Sequence, residues 1–497
     1  MRLDEMFRNV LAMDPEEPAV EVNETWYPRR RLTDVAKKID EVLLAAGLGA
    51  GAPIGLIARN RVPQIGALFG LIAGRRTVVM LHAYQAPAKL AEEIRNLRLP
   101  AILGDEQDWS AEGMKEAAKA AGSLGILLKN TETDAVTLLP GLEKLGPGPH
   151  HKSEADVAIE ILTSGTTGAP KRVPMTYSTL NQATADAALA TQQAGTDQNQ
   201  KEPYVQFFPL GNISGVYGLL LCAGLGRPVI LLEKFQVKEW ARAVEKYKLT
   251  TFVSLPPAAI RMVLEAKIPK AALASVPIVR CGSAPLAPEL QAEFEDTYGI
   301  PVLINYGATE FGGVVINWTI ADHKEFAKKK RGSIGRPRPG IGLRVVDVET
   351  DKEMPAGQVG RLEILVPRLK DEWIRTTDLA AIDSDGFVFL HGRSDSVIIR
   401  GGFKVNPESV AEVMRQNPDV REAAVIGIPD PRLGEVPVAA VEGHPGQPKP
   451  KPEELDALVR EQLSPQHVPV RTVVFDALPR TGSMKVDRGA LKKLLQG

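Results

Sequence analysis

The first third of the chain alternates helix and strand patterns, and this alternation limits the fold more than any other feature. Helix patterns show apolar residues at a spacing of three to four, whereas strand patterns are short apolar runs. In the first third, the helix patterns cover 32–47 and 62–74, and the strand patterns cover 52–58 and 77–81. The alternation recurs later, with helix patterns over 238–248 and 289–299 and strand patterns over 250–255 and 301–307. Neighbouring parallel strands need a crossover of this kind, so the pattern predicts mainly parallel sheets covered by helices.

The pattern changes near residue 333. From there to 394, apolar and polar residues alternate as in antiparallel strands, and from about 395 the helix and strand patterns suffice for a small domain. A chain of 497 residues is too long for one core. We therefore predict an α/β fold with a large N-terminal domain (1–394) of mainly parallel sheets and a β-rich part (about 333–394). A C-terminal α+β domain (395–497) follows.

Composition excludes several classes of protein. Lys and Arg (60) nearly balance Asp and Glu (61), so no net field attracts nucleic acid or an anionic membrane. Cys222 and Cys281 lack the spacing of a metal site and indicate a reducing compartment. The first residues carry charges where a signal peptide needs an apolar run, and the most apolar stretch, 213–226, falls short of the ~20 residues that span a bilayer. We expect a cytoplasmic protein with no stable membrane insertion and no nucleic-acid partner.

A glycine- and threonine-rich segment follows the strand pattern that begins near residue 156. Its small and hydroxylated residues are Thr163, Ser164, Gly165, Thr166, Thr167 and Gly168, and Lys171 comes shortly after them. Backbone amides, hydroxyls and one lysine are the groups that bind phosphate, although a flexible surface loop has the same composition. The segment is not a Walker A loop, because Lys171 follows Pro170 and no Ser or Thr comes after it.

Further motifs follow in a fixed order. The sequence NYGATE (305–310) places Tyr306, Thr309 and Glu310 at the end of a predicted strand, where α/β proteins bind ligands. Asp378 and Arg393 lie in the segment 375–395, and PRTGSMK (479–485) ends on Lys485. Together with the Gly/Thr segment, these motifs resemble the adenylate-forming superfamily: acyl- and aryl-CoA synthetases, peptide-synthetase adenylation domains and beetle luciferases. The resemblance covers roughly residues 20–495.

The resemblance implies a reaction in two halves that uses ATP, Mg²⁺ and coenzyme A. A carboxylate attacks the α-phosphate of ATP and releases pyrophosphate, and a thiol then displaces AMP from the acyl-adenylate. Lys485 matches the lysine that offsets repulsion between the two anions, whereas a lone lysine is more often a solvated surface residue. The resemblance also implies a mobile C-terminal domain, which rotates at Asp395 between the two half-reactions.

Other positions take their roles from the same resemblance. Thr309 would contact the α-phosphate and Glu310 would bind Mg²⁺, unless Glu310 is only a surface carboxylate. Asp378 would accept hydrogen bonds from the ribose, and Arg393 would contact ribose or phosphate or form a structural salt bridge. The remaining nucleotide positions are the Gly/Thr segment with Lys171, then Gly282, Ser283, Ala284, Pro285, Asn305, Tyr306 and Gly307. Tyr306 would stack on adenine, and plain core packing is its alternative.

Coenzyme A would approach Gly401, Gly402 and Lys404 after the rotation, although a simple turn explains the glycines equally well. The acyl pocket would include Asn212, Gly215, Ala308, Gly312, Gly313 and Val314, together with Gly282 and Gly307. It is apolar and lined by small residues, and its glycines suggest room for a chain or a ring. We therefore expect a hydrophobic acyl or aryl acid, and the absence of an aspartate near 212 argues against an amino acid.

The sequence departs from the family's pattern at four positions. Asn212 stands where the family often has histidine, and Arg172, Thr377 and Met484 stand where it often has glycine. Each of the last three replacements is expected to add a side chain near a backbone turn. Two alternatives to a CoA ligase stay open: an acyl-AMP ligase that loads a separate carrier protein, and a non-catalytic protein that binds nucleotide or acyl-CoA.

Overall fold

The computed structural model describes residues 2–163, 171–193 and 202–496. The α-helices are α1 (Leu3–Leu11), α2 (Arg29–Ala45), α3 (Val62–Ala73), α4 (Pro87–Leu97), α5 (Glu106–Trp109), α6 (Met114–Ala121), α7 (Tyr177–Gln193), α8 (Ile213–Leu225), α9 (Val237–Tyr247), α10 (Pro257–Glu265), α11 (Pro288–Tyr298), α12 (Ile320–Phe326), α13 (Pro407–Arg415), α14 (Pro452–Gln462) and α15 (Arg488–Gln496).

The strands up to residue 308 are β1 (Pro18–Val22), β2 (Thr25–Pro28), β3 (Pro53–Ala58), β4 (Thr77–His82), β5 (Ala101–Asp105), β6 (Leu124–Leu128), β7 (Val136–Leu138), β8 (Val157–Thr163), β9 (Lys171–Thr176), β10 (Tyr204–Gln206), β11 (Val229–Leu231), β12 (Val253–Ser254), β13 (Val279–Cys281) and β14 (Val302–Ala308). The later strands are β15 (Gly313–Asn317), β16 (Ser333–Pro337), β17 (Gly342–Val346), β18 (Gly360–Leu365), β19 (Trp373–Ile382), β20 (Val388–Arg393), β21 (Ile398–Arg400), β22 (Phe403–Val405), β23 (Val420–Asp430), β24 (Gly434–Gly443) and β25 (Arg471–Phe475).

The first helix–strand alternation forms a sheet in the order β7-β6-β5-β3-β4-β8-β9. Its inner strands pair in parallel, and only the edge strands β7 and β9 pair antiparallel to their neighbours among the described residues. Strand β3 is buried along its whole length, as expected when helices cover both faces. Helices α2 and α3 approach closely because Gly70 has no side chain: a Cβ there would lie 2.8 Å from the Ala36 Cα.

A second sheet, in the order β12-β13-β14-β15-β16-β20-β19-β18-β17, joins a parallel half to an antiparallel half. The antiparallel pairing begins at β15, about 20 residues before the change that the sequence pattern indicated. The predicted strand over 250–255 shortens to Val253–Ser254. Because the two halves are continuous, residues of β14, β19 and β20 lie on one sheet, and this continuity positions the candidate site.

A smaller sheet, β10-β11-β1-β2, completes the part of the molecule before residue 394. Residues after 394 form a separate sheet, β22-β21-β24-β23, with β25 paired to β24. Buried apolar side chains of this segment, such as Val425 and Leu491, form hydrophobic clusters of their own. The α/β fold class with a C-terminal α+β unit is therefore confirmed.

Candidate functional site

Strands β8 and β9 form the hairpin that carries the Gly/Thr segment. Thr163, the last residue of β8, is the partner of Lys171, the first residue of β9. Lys171 is exposed at this end of the hairpin. The predicted phosphate ligands between them, Ser164, Gly165, Thr166, Thr167 and Gly168, lie outside the described residues.

The structure brings Tyr306 of β14 and Asp378 of β19 together. The Tyr306 hydroxyl donates a hydrogen bond of 2.5 Å to Asp378 Oδ2. Burial and then the nearby Asp378 charge raise the pKa of the Tyr306 phenol well above its usual value, so it stays a donor. The second oxygen of Asp378 lies 3.9 Å from a guanidinium nitrogen of Arg393. A carboxylate held in this way keeps lone pairs for further donors, as a ribose diol requires.

Arg393 connects this carboxylate to the predicted hinge. Asp378 and Arg393 are partners across β19 and β20, and the Arg393 guanidinium donates two hydrogen bonds of 2.9 Å to Asp395. Burial opposes the charged form of Arg393, but Asp395 and Asp378 outweigh it and raise the pKa of the guanidinium. Asp395 lies in a short 3₁₀ turn, Ser394–Ser396, directly after β20.

Lys485 lies within electrostatic range of the same groups, although about 90 residues separate it from Arg393 along the chain. Lys485 is an exposed residue by its accessible surface, although protein atoms crowd around its ammonium group. This crowding and then the Arg393 charge lower the pKa of Lys485, whereas Asp378 raises it. Tyr306, Asp378, Arg393 and Lys485 therefore form one cluster, which we call the lysine cluster.

The turn that carries Lys485 docks against residues before 394. The Lys485 carbonyl accepts from the Thr481 amide at 2.8 Å, and the Met484 amide donates to the Thr481 carbonyl at 2.9 Å. A Cβ on Gly482 would lie 3.4 Å from the Tyr84 ring, so the turn lies against the end of β4. Met484 adopts a φ of 63°, and its side chain packs against the N-terminal core. This conformation suits glycine, which explains why methionine at this position is unusual.

The other family departures have a different structural setting. Thr377 lies within β19, away from its ends, so the expectation of a nearby turn is wrong for it. Arg172 is the second residue of β9, at the end of the hairpin that carries the Gly/Thr segment, and Met484 lies in a turn. Arg172 donates to the Met80 carbonyl at 3.1 Å and forms an ion pair with Glu93. It therefore ties the hairpin to β4 and α4. The Thr377 hydroxyl is buried and has no hydrogen-bond partner among the described residues.

The segment around the end of β14 presents Thr309 and Glu310 in a 3₁₀ turn, Thr309–Phe311. Thr309 is buried, whereas Glu310 is exposed. Asn305 and Gly307 precede them on β14, where Asn305 pairs with Asn317. The described residues contain no cluster of three or more His, Cys, Asp or Glu side chains that could hold a metal by themselves. A single open carboxylate is nevertheless what Mg²⁺ uses when substrate phosphates supply its other ligands.

The segment Gly282, Ser283, Ala284 and Pro285 follows β13, next to β14. Ser283 has a φ of 71°, and a Cβ on Gly282 would lie 2.9 Å from the Asn305 carbonyl oxygen. Gly282 is therefore required for close approach of the two segments. The predicted nucleotide segments 282–285 and 305–310 are neighbours in space.

The glycines of the predicted acyl pocket do not provide the room that we expected. A Cβ on Gly215 would lie 2.2 Å from the Pro209 carbonyl oxygen, and one on Gly307 would lie 2.3 Å from that of Gly313. A Cβ on Gly313 would lie 2.7 Å from the Tyr217 hydroxyl oxygen, and that hydroxyl donates to the Gly312 carbonyl. Backbone and the Tyr217 ring fill this space. Ala308 and Val314 are the remaining members, on β14 and β15.

Sequence analysis missed His82, which lies at the end of β4 beside this pocket. Burial lowers the pKa of the imidazole, whereas the nearby Asn212 side chain and then the Glu93 charge act in the opposite direction. Asn212 directly precedes α8, and its carbonyl accepts from the Gly215 and Val216 amides at 3.1 Å. The imidazole that the pattern lacks at position 212 is thus present as a neighbour, from an element more than a hundred residues away in sequence.

The predicted coenzyme A residues are not part of the lysine cluster in this conformation. The Gly401 amide donates to the Leu433 carbonyl at 2.7 Å, and Gly401 and Gly402 have φ values of 57° and 85°. Lys404 pairs with Glu349 at 3.0 Å, and both side chains are exposed. These glycines therefore form a turn between β21 and β22. None of the described helices combines the length and the apolar character that crossing a bilayer requires.

Comparison with known proteins agrees with this arrangement. The family model for the AMP-binding enzyme matches residues 7–368, and that for the AMP-binding enzyme C-terminal domain matches 409–485. Arabidopsis thaliana 4-coumarate–CoA ligase-like 9 is 26% identical over 403 residues, which are 78% of this chain and 70% of the relative. The 2-succinylbenzoate–CoA ligase of Bacillus pumilus (strain SAFR-032) is 26% identical over 96% of this chain and 95% of its own.

The fold is also that of a solved structure. ATP-bound MatB from Rhodopseudomonas palustris superposes with a TM-score of 0.81 at 22% identity, covering 100% of this chain and 99% of that one. The two family matches together extend over most of the chain; they include Tyr306 and Lys485, whereas Asp378 and Arg393 lie in the interval between them. The chain therefore belongs to the adenylate-forming superfamily, as an AMP-binding enzyme of the acid–thiol ligase class.

Proposed function

We propose that this chain is an ATP-dependent carboxylate–CoA ligase that activates a hydrophobic acyl or aryl acid. The observation that carries the proposal is the lysine cluster, in which Lys485 lies within electrostatic range of Asp378 and Arg393, which themselves lie 3.9 Å apart. A structural lysine gains little from such a place, because crowding and a neighbouring guanidinium both disfavour its charge. Anionic substrates would supply the missing compensation.

In the first half-reaction, an oxygen of the acid attacks the α-phosphorus of ATP and the bond to pyrophosphate breaks. Lys485 would lie between the two anions and reduce their repulsion. Asp378, oriented by Tyr306, would accept from the ribose hydroxyls, and Arg393 would contact ribose or phosphate. Thr309 would donate to the α-phosphate, and the Gly/Thr segment with Lys171 would hold the outer phosphates.

Glu310 would hold Mg²⁺ together with the ATP phosphates, since it is an exposed carboxylate next to Thr309. When bound, the ion neutralises phosphate charge and orients the leaving pyrophosphate. Every other step depends on side chains of the chain itself.

In the second half-reaction, the sulfur of coenzyme A attacks the acyl carbonyl and AMP leaves. Lys485 has no role there, and Gly401, Gly402 and Lys404 would have to reach the site. We propose that residues 395–497 form a domain that rotates at Asp395 relative to residues 1–394. Rotation would break the Arg393–Asp395 pairing and the Lys404–Glu349 ion pair, which are both surface contacts of modest strength.

The experiment is pyrophosphate release from ATP and Mg²⁺ with a panel of fatty and aromatic acids, with and without coenzyme A. We expect release that depends on the acid and increases with coenzyme A. Lys485→Ala should lower the rate about 100-fold or more, since removal of one transition-state donor costs roughly 10²–10³ in rate. Lys404→Ala, at an exposed position outside the lysine cluster, should retain the first half-reaction.

Three other outcomes would contradict the proposal in distinct ways. Release that ignores coenzyme A but increases with a carrier protein would identify a carrier-loading enzyme. Nucleotide binding without release for any acid would indicate a non-catalytic protein. Undiminished release by Lys485→Ala would remove the role given to the lysine cluster.

A further inference from the structure

A charged side chain lies on β13, two residues before Gly282, a member of the predicted acyl pocket. Arg280 is the central residue of β13, between β12 and β14, where it pairs with Ser254 and Leu303. Its neighbours Val279 and Cys281 are fully buried. Side chains alternate along a strand, so Arg280 points away from the Cys281 side, toward the face on which Gly282 follows roughly 7 Å further along.

The surroundings of Arg280 connect it to the pocket. Its guanidinium carbon lies 4.3 Å from the centroid of the Phe252 ring, and that ring lies 6.5 Å from the ring of Tyr204. Burial and then the Arg338 charge lower the pKa of Arg280 to about 10, with Tyr204 acting in the opposite direction. Arg338 itself donates to the carbonyl of Val314, a predicted pocket residue, at 3.4 Å.

The part of the chain that the structure describes supplies no anion to Arg280. No described carboxylate forms an ion pair with its guanidinium, and no described acceptor forms a hydrogen bond with it. Two arginines that are more deeply buried than Arg280 do have such partners. Arg59 pairs with Asp108 at 2.7 Å, and Arg76 pairs with Asp40 at 2.6 Å.

Arg280 is partly buried, and a charge that is partly withdrawn from water is disfavoured unless an anion compensates it. The Phe252 ring stacks on one face of the guanidinium and offsets part of this cost. The edge of the guanidinium, which carries its N–H donors, keeps its capacity for a planar anion. A carboxylate matches that edge with two parallel hydrogen bonds.

We propose that the acid activated by this enzyme carries a second carboxylate at its far end, and that Arg280 binds it. The body of the acid would lie against the apolar wall near Val314 and Tyr217, with its reacting carboxylate toward the lysine cluster. This inference rests on the proposed ligase function and narrows its substrate class.

The test compares dicarboxylic acids of increasing length with the monomethyl ester of each, in pyrophosphate release with saturating ATP. The ester has the same body and lacks only the second charge. For the preferred length, we expect kcat/KM for the diacid to exceed that for the ester about 10- to 100-fold, the range for a hydrogen-bonded charge pair. Arg280→Met should remove this preference and leave the ester unchanged or improved. Arg280→Glu should move the preference toward an acid with a terminal amine.

Arg242→Met is the matched control, since Arg242 is also a partly buried arginine and pairs with Glu21 and Glu24, far from β13 in the sequence. Arg242→Met should keep the preference of the original chain for the diacid over its monomethyl ester. The KM for ATP and the thermal midpoint verify that each variant folds. If Arg280→Met is unstable, Arg280→Lys replaces it, and a loss confined to the diacid supports the inference.

An unchanged diacid-to-ester ratio in an active Arg280→Met variant overturns the inference and leaves the ligase function standing. A preference of the original chain for esters or simple fatty acids overturns it as well. Absence of release with every acid overturns the ligase function first, and the inference with it.

Discussion

The hydrogen bond from Tyr306 to Asp378 connects β14 to β19 within the lysine cluster. We expect Tyr306→Phe to keep the ring and lose the orientation of the Asp378 carboxylate. A hydrogen bond to a charged group contributes about 1.5–3 kcal/mol, so kcat/KM for ATP should fall about 10- to 100-fold. Steady-state pyrophosphate release at varied ATP measures this.

Tyr298→Phe is the control for that change, because the Tyr298 hydroxyl is also a hydrogen-bond donor, but to the backbone carbonyls of Val263 and Ile268, and it lies on α11. It should alter thermal stability slightly and leave the KM for ATP as it was. If both variants lose the same fraction of activity, Tyr306 has no special part in holding the nucleotide.

The lowered pKa of Lys485 leads to a prediction on pH. The first half-reaction needs the ammonium form, and crowding and Arg393 make its proton easier to lose than that of an ordinary lysine. The kcat/KM for ATP reports groups of the free enzyme, so it should decline on the alkaline side at a pH below 10.5, the usual lysine value. Lys485→Arg should move that decline upward while lowering the maximum. A decline at the same pH in both proteins would assign it to another group.

Sequence reasoning identified the residues of this cluster individually, but it could not give their mutual contacts. The motifs named Tyr306, Asp378, Arg393 and Lys485 because each has a distinctive local pattern. His82 and Arg280 have no such pattern: each is a single polar residue in an apolar strand. Their importance follows from neighbours such as Asn212 and Phe252, which only the fold brings close.

At the scale of elements, the strand and helix patterns predicted the parallel sheets well, because buried parallel strands have continuous apolar runs. The border near residue 333 was less well predicted. Strands β14 and β15 are joined by a tight turn at Gly312, which has a φ of 61°, and apolar residues flank it on both sides. Periodicity alone does not distinguish this hairpin from a parallel neighbour.

The turn before Lys485 combines an unfavourable backbone with a favourable side-chain contact. A non-glycine residue at positive φ costs roughly 1–2 kcal/mol, which the packing of Met484 against the N-terminal core offsets. We expect Met484→Ala to keep the unfavourable positive φ and to lose the packing of the side chain against the N-terminal core. Pyrophosphate release should then slow several-fold, whereas thioester formation from a supplied acyl-adenylate should not, and separate assays of the two half-reactions measure the difference.

Met484→Gly tests the same turn in the opposite sense. Glycine removes both the backbone cost and the contact, so the turn should still form, and pyrophosphate release should lie between that of Met484→Ala and that of the original chain. Equal slowing of both half-reactions in Met484→Ala would mean that the side chain supports folding and not the docking of the turn.

At the scale of the whole molecule, the segment after 394 contacts the rest through few charged pairs. Arg421 of β23 donates to Glu265 of α10 in a bidentate arrangement at 2.6 and 2.8 Å, and it also pairs with Glu442 within its own sheet. The arrangement that places Lys485 in the lysine cluster therefore depends on an ion pair that is partly open to solvent. Such a pair contributes about 1 kcal/mol or less and weakens with salt.

This weakness suits a protein that must adopt a second arrangement for its second half-reaction, and it leads to a prediction. Glu265→Gln should favour arrangements in which Lys485 has left the site. Pyrophosphate release should fall about three- to fivefold, the equivalent of ~1 kcal/mol or slightly less, while thioester formation from supplied acyl-adenylate should hold or increase.

Added salt should reduce the difference in pyrophosphate release between Glu265→Gln and the original chain, because it screens the Arg421–Glu265 pair in the original chain. Glu239→Gln, on the first turn of α9, is the control for a lost surface charge. A fall in both half-reactions, or a difference that salt leaves unchanged, would show that the Arg421–Glu265 pair does not bias the position of Lys485.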